Sequence, residues 1–231
     1  KTGFDGVPVA MEFDEHEIEL LWDRPNPDAV APWTATSDGW AWQATFGLDE
    51  YETTYELDAP ESRALPALVT VGRRDGRQLA IDLEVLGSVT VVGDTTAAAD
   101  LVRSIAIELG DGEGVSNAQV VLVGFDLALD EHLKRVSTKT DAAALGLLST
   151  LVDQHRQVIE RAGIATTFQL RGLPPFGRET TVFIVNAERP NRVDEMLALV
   201  EPGLAVAVVV LSPTPMTDAV IDVESAERAT L

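Results

Sequence analysis

In the second half of the chain, short runs of β-branched and aliphatic residues alternate with stretches in which apolar residues return every three or four positions. This pattern predicts strands interleaved with helices. The strands are read at Val89–Val92, Gln119–Asp126, Thr180–Asn186 and Leu204–Leu211, each a near-continuous apolar run of the kind buried on both faces of a parallel sheet. Between them, Leu101, Val102, Ile105, Ala106 and Leu109 fall on one helical face, as do Leu147, Leu148, Leu151, Val158 and Ile159 of a longer helix. That longer helix is capped by Thr140 and stopped by Gly163, with His155 and Arg156 on its polar side, and a short helix is read from Val193 to Val200. Asp218–Val223 and Arg228–Leu231 read as a terminal antiparallel pair.

The first third of the chain has the two-residue period instead. Val7–Phe13 and Glu17–Trp22 alternate around an Asp14–His16 turn, and Trp33–Trp42 gives two short strands around Ser37, Asp38 and Gly39. Leu68–Arg74 and Gln78–Leu83 flank Asp75 and Gly76 as a lead-in hairpin. Between them, 48–63 is an acidic, tyrosine-bearing linker or solvent-facing arm. The expected architecture is therefore α/β: a mainly parallel sheet flanked by helices, a degenerate P-loop NTPase-like core, preceded by a small β-hairpin lobe. The division expected is 1–64 for the acidic lobe and linker and 65–231 for the core with its hairpin. A flavodoxin-like doubly wound sheet is the alternative.

The turn between the strand at 89–92 and the following helix carries the candidate chemistry. A phosphate loop reads G-x-x-x-x-G-K-[ST], with amides around the phosphates, a lysine to neutralise them and a hydroxyl on magnesium. Counted from Gly93, the last three places hold Ala98, Ala99 and Asp100, so cation and hydroxyl are missing and a carboxylate faces the phosphate position. The next strand, which in such cores ends in a magnesium-orienting acid, ends here in Gly124 and Phe125, displacing Asp126. What remains is a possible weak anion site at Gly93, Asp94, Thr95 and Thr96, with Asp94 able to fill it as the helix cap. No elbow serine, paired metal spacing or other catalytic set is found; neither an enzyme nor a cofactor is expected.

Composition narrows the partners. The formal charge is −21 at a mean hydropathy of +0.08, and residues 1–60 carry 14 acidic and 2 basic side chains. Such a field repels nucleic acid and anionic membrane, so direct nucleic-acid binding is not expected. With no cysteine there is no disulfide or thiol chemistry, and no apolar run reaches the roughly 20 residues of a membrane span. Trp33, Trp40 and Trp42 are candidates for partner contact or for the core of the lobe. Arg73, Arg74 and Arg77 are candidates for contacting an anion or acidic partner, or for balancing nearby carboxylates, and Arg171 could point to the sheet's carboxyl edge. His132 reads as a surface residue.

Pro66–Gly72, Leu79–Glu84, Gly87, Val89–Asp94 and Val120–Gly124, with Ala31–Ala35 and Asp38–Trp42 upstream, resemble a region of large actinobacterial membrane proteins. These are multidomain regulators combining transmembrane helices, a LysM peptidoglycan-binding module and a bacterial transcriptional activator domain. The hairpin, strand and turn also resemble the entry into ATPase cores of the FtsK and type VII secretion class. The first resemblance implies a cytoplasmic segment of a longer protein, in keeping with a chain that opens at Lys1 and stops at Leu231. It also implies a non-catalytic interaction or regulatory role, with a protein partner or adjacent domains of the same chain. A small-ligand or nucleotide sensor and a degenerate FtsK-like assembly domain are the alternatives.

Overall fold

The computed structural model describes residues 6–45, 67–111, 118–125, 129, 132–170, 179–188, 192–225 and 228–230. The period-two stretches at the front pair into one antiparallel sheet of β1 (Pro8–Phe13), β2 (Glu17–Trp22), β3 (Thr34–Ala35), β4 (Ala41–Thr45), β5 (Leu68–Arg74) and β6 (Arg77–Asp82). Its order is β3-β4-β2-β1-β6-β5. The lead-in hairpin is thus an edge of the front sheet, with β6 laid antiparallel on β1. A single-turn helix, α1 (Leu83–Leu86), then carries the chain into the second sheet. Asp82 caps it, its Oδ1 accepting the amides of Glu84 and Val85.

The second sheet contains β7 (Ser88–Gly93), β8 (Ala118–Val123), β9 (Val136–Lys139), β10 (Thr180–Asn186), β11 (Val206–Leu211), β12 (Ala219–Ser225) and β13 (Arg228–Thr230), in the order β13-β12-β7-β11-β10-β8-β9. All pairs are parallel except β12 with β13, so the sheet is mainly parallel, as expected. The terminal pair is antiparallel within itself, but its inner member lies parallel against β7. β9 carries no strand signal in the sequence, and it forms the far edge of the sheet. The helices are α2 (Thr95–Asp111), α3 (Asp141–Ala162) and α4 (Val193–Leu197), the last ending three residues earlier than its pattern suggested.

Alternate residues of the central strands serve two cores. Val182 and Ile184 of β10 and Val209 of β11 face α2, where they join Val102, Ile105 and Leu109 together with Ala10, Val69 and Ile81 of the front sheet. Phe183, Val185, Val208 and Val210 face the other way, onto Ala144, Leu148 and Val152 of α3 and Met196 of α4. Helix α2 is therefore held between two sheets, and the front sheet shares its apolar interior with the parallel one. A polar clasp adds to this contact, since the Glu108 carboxylate near the end of α2 accepts the amide and hydroxyl of Thr70 on edge strand β5. Among the described residues, no helix is long and apolar enough to cross a membrane.

Candidate functional site

At the turn after β7 the strand ends at Gly93 and the helix begins at Thr95, which leaves Asp94 alone between them. Three amides that a phosphate loop would turn toward a ligand are engaged within the chain. Asp94 N donates to Val223 O at 2.8 Å, and Thr96 N and Ala97 N donate to Asp94 Oδ1 at 3.1 and 2.9 Å. Gly93 has φ +108°, and a Cβ placed on it would lie 2.2 Å from Val223 O and 2.8 Å from Asp222 Oδ1. Strand β12 thus closes over the turn, bringing a second carboxylate beside it. No described lysine or arginine forms an ion pair with Asp94 or Asp222. Gly93, Asp94, Thr95 and Thr96 are indeed together and exposed. Ala98, at the place of the second loop glycine, is packed in the core, while Asp100 is exposed and paired with Arg103.

Strand order corrects the place where a metal-orienting acid was sought. β7 is flanked by β11 and β12, with β10 next after β11 and β8 third. At about 4.8 Å per strand, the end of β8 stands some ~14 Å from β7. Asp126 itself lies outside the described residues, as do Arg171 and the 48–63 arm. The nearer strand β10 ends in a neutral side chain, Asn186, whose Oδ1 accepts the Glu188 amide at 3.0 Å. Chain order alone suggested β8; the crossovers that insert β11 and β10 between it and β7 are not written in any local pattern.

The front-lobe candidates separate. Trp42 is buried, donates Nε1–H to Asn26 O at 2.7 Å and packs on Trp22, with centroids 4.7 Å apart at 59°. Trp33 is half-buried and Trp40 is 49% exposed. Trp22, which the sequence reading left unremarked inside a strand, is the ring that completes the pair. Arg74 pairs with the buried Glu12, and Arg77 donates to Glu19 at 2.8 Å and to Glu12 O at 3.3 Å, with Asp14 at 4.0 Å. Arg73 is exposed and makes no ion pair with a described residue. The arginine cluster therefore ties the two hairpins together. Burial works against the Arg77 charge, but Glu19, Glu17 and Glu12 outweigh it and raise the pKa above the usual arginine value. The Asp14 carboxyl is held below its ordinary range by the His16 and Glu17 amides, with Arg77 adding to the effect.

Two further features escaped the sequence. His132 is exposed as expected, but His155 is buried rather than on the polar side of α3, its Nδ1 3.0 Å from Leu204 O. Glu84 is fully buried: Oε1 meets the Thr167 hydroxyl at 2.6 Å, Oε2 meets that of Thr180 at 2.5 Å, and its carbonyl takes the Gly203 amide. Above this knot, between β1, α1 and the turn at Ala165–Gln169, opens a cleft of about 690 Å³ walled by Val7, Val9, Val85, Leu86, Phe168 and Pro202.

No family model and no curated protein matches the chain. Among solved structures it is similar to EssC (ATPases 2 and 3) from Geobacillus thermodenitrificans, at a TM-score of 0.51 and 8% identity over 65% of this chain and 34% of that one. TcpA, the pCW3 conjugation coupling protein, matches at 0.49 and 12% identity over 91% and 72% of the two chains. The cytoplasmic domain of the type VII secretion ATPase EccC from Thermomonospora curvata matches at 0.47 and 17%, over 71% and 23%. The chain thus spans about a third or less of the EssC and EccC structures. The likeness is one of fold: the parallel sheet and its helices form a P-loop NTPase-like core.

Proposed function

We propose that the chain is an ATPase-type domain that neither binds nor hydrolyses nucleotide and acts as a protein-contact module in a larger assembly, the front lobe supplying contacts. The observation that carries this is the turn at Gly93–Ala97. Three of its amides are taken by Asp94 and Val223, β12 stands over Gly93, and the lysine and magnesium hydroxyl of the phosphate motif are replaced by Ala99 and Asp100. Phosphoryl transfer depends on positioning and on charge stabilisation, and removing one preorganised donor already costs ~10²-fold or more. The fold shared with a two-ATPase fragment of EssC supports a role as one module among several. The further idea that the module belongs to a membrane-tethered transcriptional regulator is carried by the sequence resemblance.

The test is calorimetry with magnesium and ATP, a hydrolysis assay, and sedimentation of the chain with and without its neighbouring segments. Flat heats, no hydrolysis and self-association or co-sedimentation are expected. A magnesium-dependent activity abolished by Thr95→Ala with Thr96→Ala would overturn the reading. A ligand-sensor function has one specific observation in its favour, the cleft above Glu84, whose volume suits a small molecule. On that reading Leu86→Trp, which fills the cleft, abolishes ligand-induced shifts in melting temperature.

A further inference from the structure

The front sheet has one face in the core and one outside it. On β1 and β6, Ala10 and Ile81 point inward, joined by Val69 of β5. By alternation, the opposite face carries Met11 and Phe13, with Leu20 and Ile18 directly across on β2, and Trp42 across from Leu20 on β4. Trp22 packs on Trp42, and the ladder runs on to the exposed Trp40, whose carbonyl accepts the Trp22 amide at 3.0 Å. Met11, Phe13, Ile18 and Leu20 are half-buried and belong to neither buried cluster. This is an apolar stripe across β1 and β2, bounded on the β4 side by the buried Trp42 and the exposed Trp40.

Carboxylates bracket it. At one end the β1–β2 turn holds Asp14 and Glu15, and at the other Asp38 accepts the Trp40 amide while Asp28 lies exposed nearby in sequence to Asn26, the partner of Trp42. Of this lobe's arginines, Arg24 pairs with Asp23, Arg74 with Glu12 and Arg77 with Glu19, while Arg73 on the β5 edge is exposed. Amides and a hydroxyl hold the Asp14 and Asp38 carboxyls below the ordinary carboxyl range.

We infer that this outer face receives a segment of a partner protein whose apolar side chains are flanked at both ends by lysine or arginine. The inference rests on the contact-module reading and gives it a partner chemistry. Apolar burial would anchor the segment and the charges would set its register and speed its arrival. A nucleic acid or an anionic membrane surface is repelled by the same carboxylates.

Three peptides of equal length test it against the full chain: a Leu-Phe-Leu-Ile centre with two lysines at each end, the same centre with glutamates, and the lysines around a Gly-Ser centre. Amide chemical shifts and calorimetry are read at low and physiological salt. The first peptide is expected to bind at least about tenfold tighter than either control, more weakly in salt, with shifts confined to β1, β2 and β4. Trp40→Ala should weaken it by about tenfold and Glu15→Gln with Asp28→Asn should flatten its salt dependence. Should the tryptophan variant misfold, Leu20→Ser on the same face serves in its place. Equal binding of the Gly-Ser peptide, shifts elsewhere, indifference to these variants, or no binding overturns the inference. The nucleotide and sedimentation results are independent of all these outcomes.

Discussion

Removing the Glu84 side chain should be the most damaging small change in the molecule that leaves the hydrophobic cores intact. The carboxylate is fully buried and takes hydroxyls from Thr167 and Thr180 at 2.6 and 2.5 Å, tying α1 to the turn after α3 and to the start of β10. A buried hydroxyl left without its acceptor costs about 1–3 kcal/mol, so two give roughly 2–6 kcal/mol. Glu84→Ala is therefore expected to cost about 3–5 kcal/mol, since the missing side chain also leaves a cavity. Glu84→Gln should behave differently. Thr167 has one hydroxyl hydrogen and two neighbouring acceptors, Glu84 Oε1 and Gly203 O at 2.8 Å. A glutamine amide could donate to Thr167, freeing that hydrogen for Gly203, while its oxygen accepts from Thr180. The expected cost is about 1 kcal/mol, one ordinary hydrogen bond exchanged for another. Urea unfolding followed by circular dichroism measures both. An alanine variant within about 1 kcal/mol of wild type, or a glutamine variant as unstable as the alanine one, refutes the reasoning.

Gly93→Ala should lower stability by about 2 kcal/mol or more, because its Cβ meets a backbone carbonyl and its φ is left-handed; a melting temperature unchanged within error rules this out. Ala99→Lys with Asp100→Thr should restore no nucleotide binding by calorimetry, since both positions lie inside α2 rather than in a loop. Trp42→Phe should cost about 1 kcal/mol by leaving the Asn26 carbonyl without its donor, while Trp40→Ala stays within about 0.5 kcal/mol, both by chemical denaturation. For Asp14 the folded pKa is depressed, so its contribution is present above the ordinary carboxyl range and lost as pH falls through the folded value; Asp14→Asn should therefore flatten the acid limb of stability against pH.

The elements legible in the sequence were those whose signal is local. β7, β8, β10 and β11 are buried on both faces, which writes an uninterrupted apolar run into the chain, and Asp94 and Gly163 mark a helix start and a helix end by residue type. β9 was illegible because only Val136 of its four residues is buried and the rest read as polar loop. Glu84 follows the alternating Gln78–Leu83 stretch and carries no local sign of burial; its burial follows from Thr167 and Thr180, 83 and 96 residues away. The tilted contact of Trp22 with Trp42 needs the β2–β4 register, and the exposure of Trp40 depends on where that sheet ends.

The closed turn draws these points together. Sequence alone showed that the phosphate motif lacks its lysine and hydroxyl, which leaves open a loop of native shape that has merely lost its charges. The structure has a different geometry: strand and helix are separated by one residue, and β12, laid parallel on β7 by the C-terminal part of the chain, places Val223 O where a loop amide would otherwise look outward. A helix amino terminus attracts an anion because its amides are unpaired. Here the Asp94 carboxylate meets that demand at 2.9–3.1 Å, and Asp222 adds negative charge beside it. Closing the turn also lengthens the β7–β12 ladder through Gly93 and Val223, so the contact that shuts the phosphate position helps hold the edge of the sheet. Stability and nucleotide binding would thus compete for the same backbone groups, and in this chain the groups are committed to the fold.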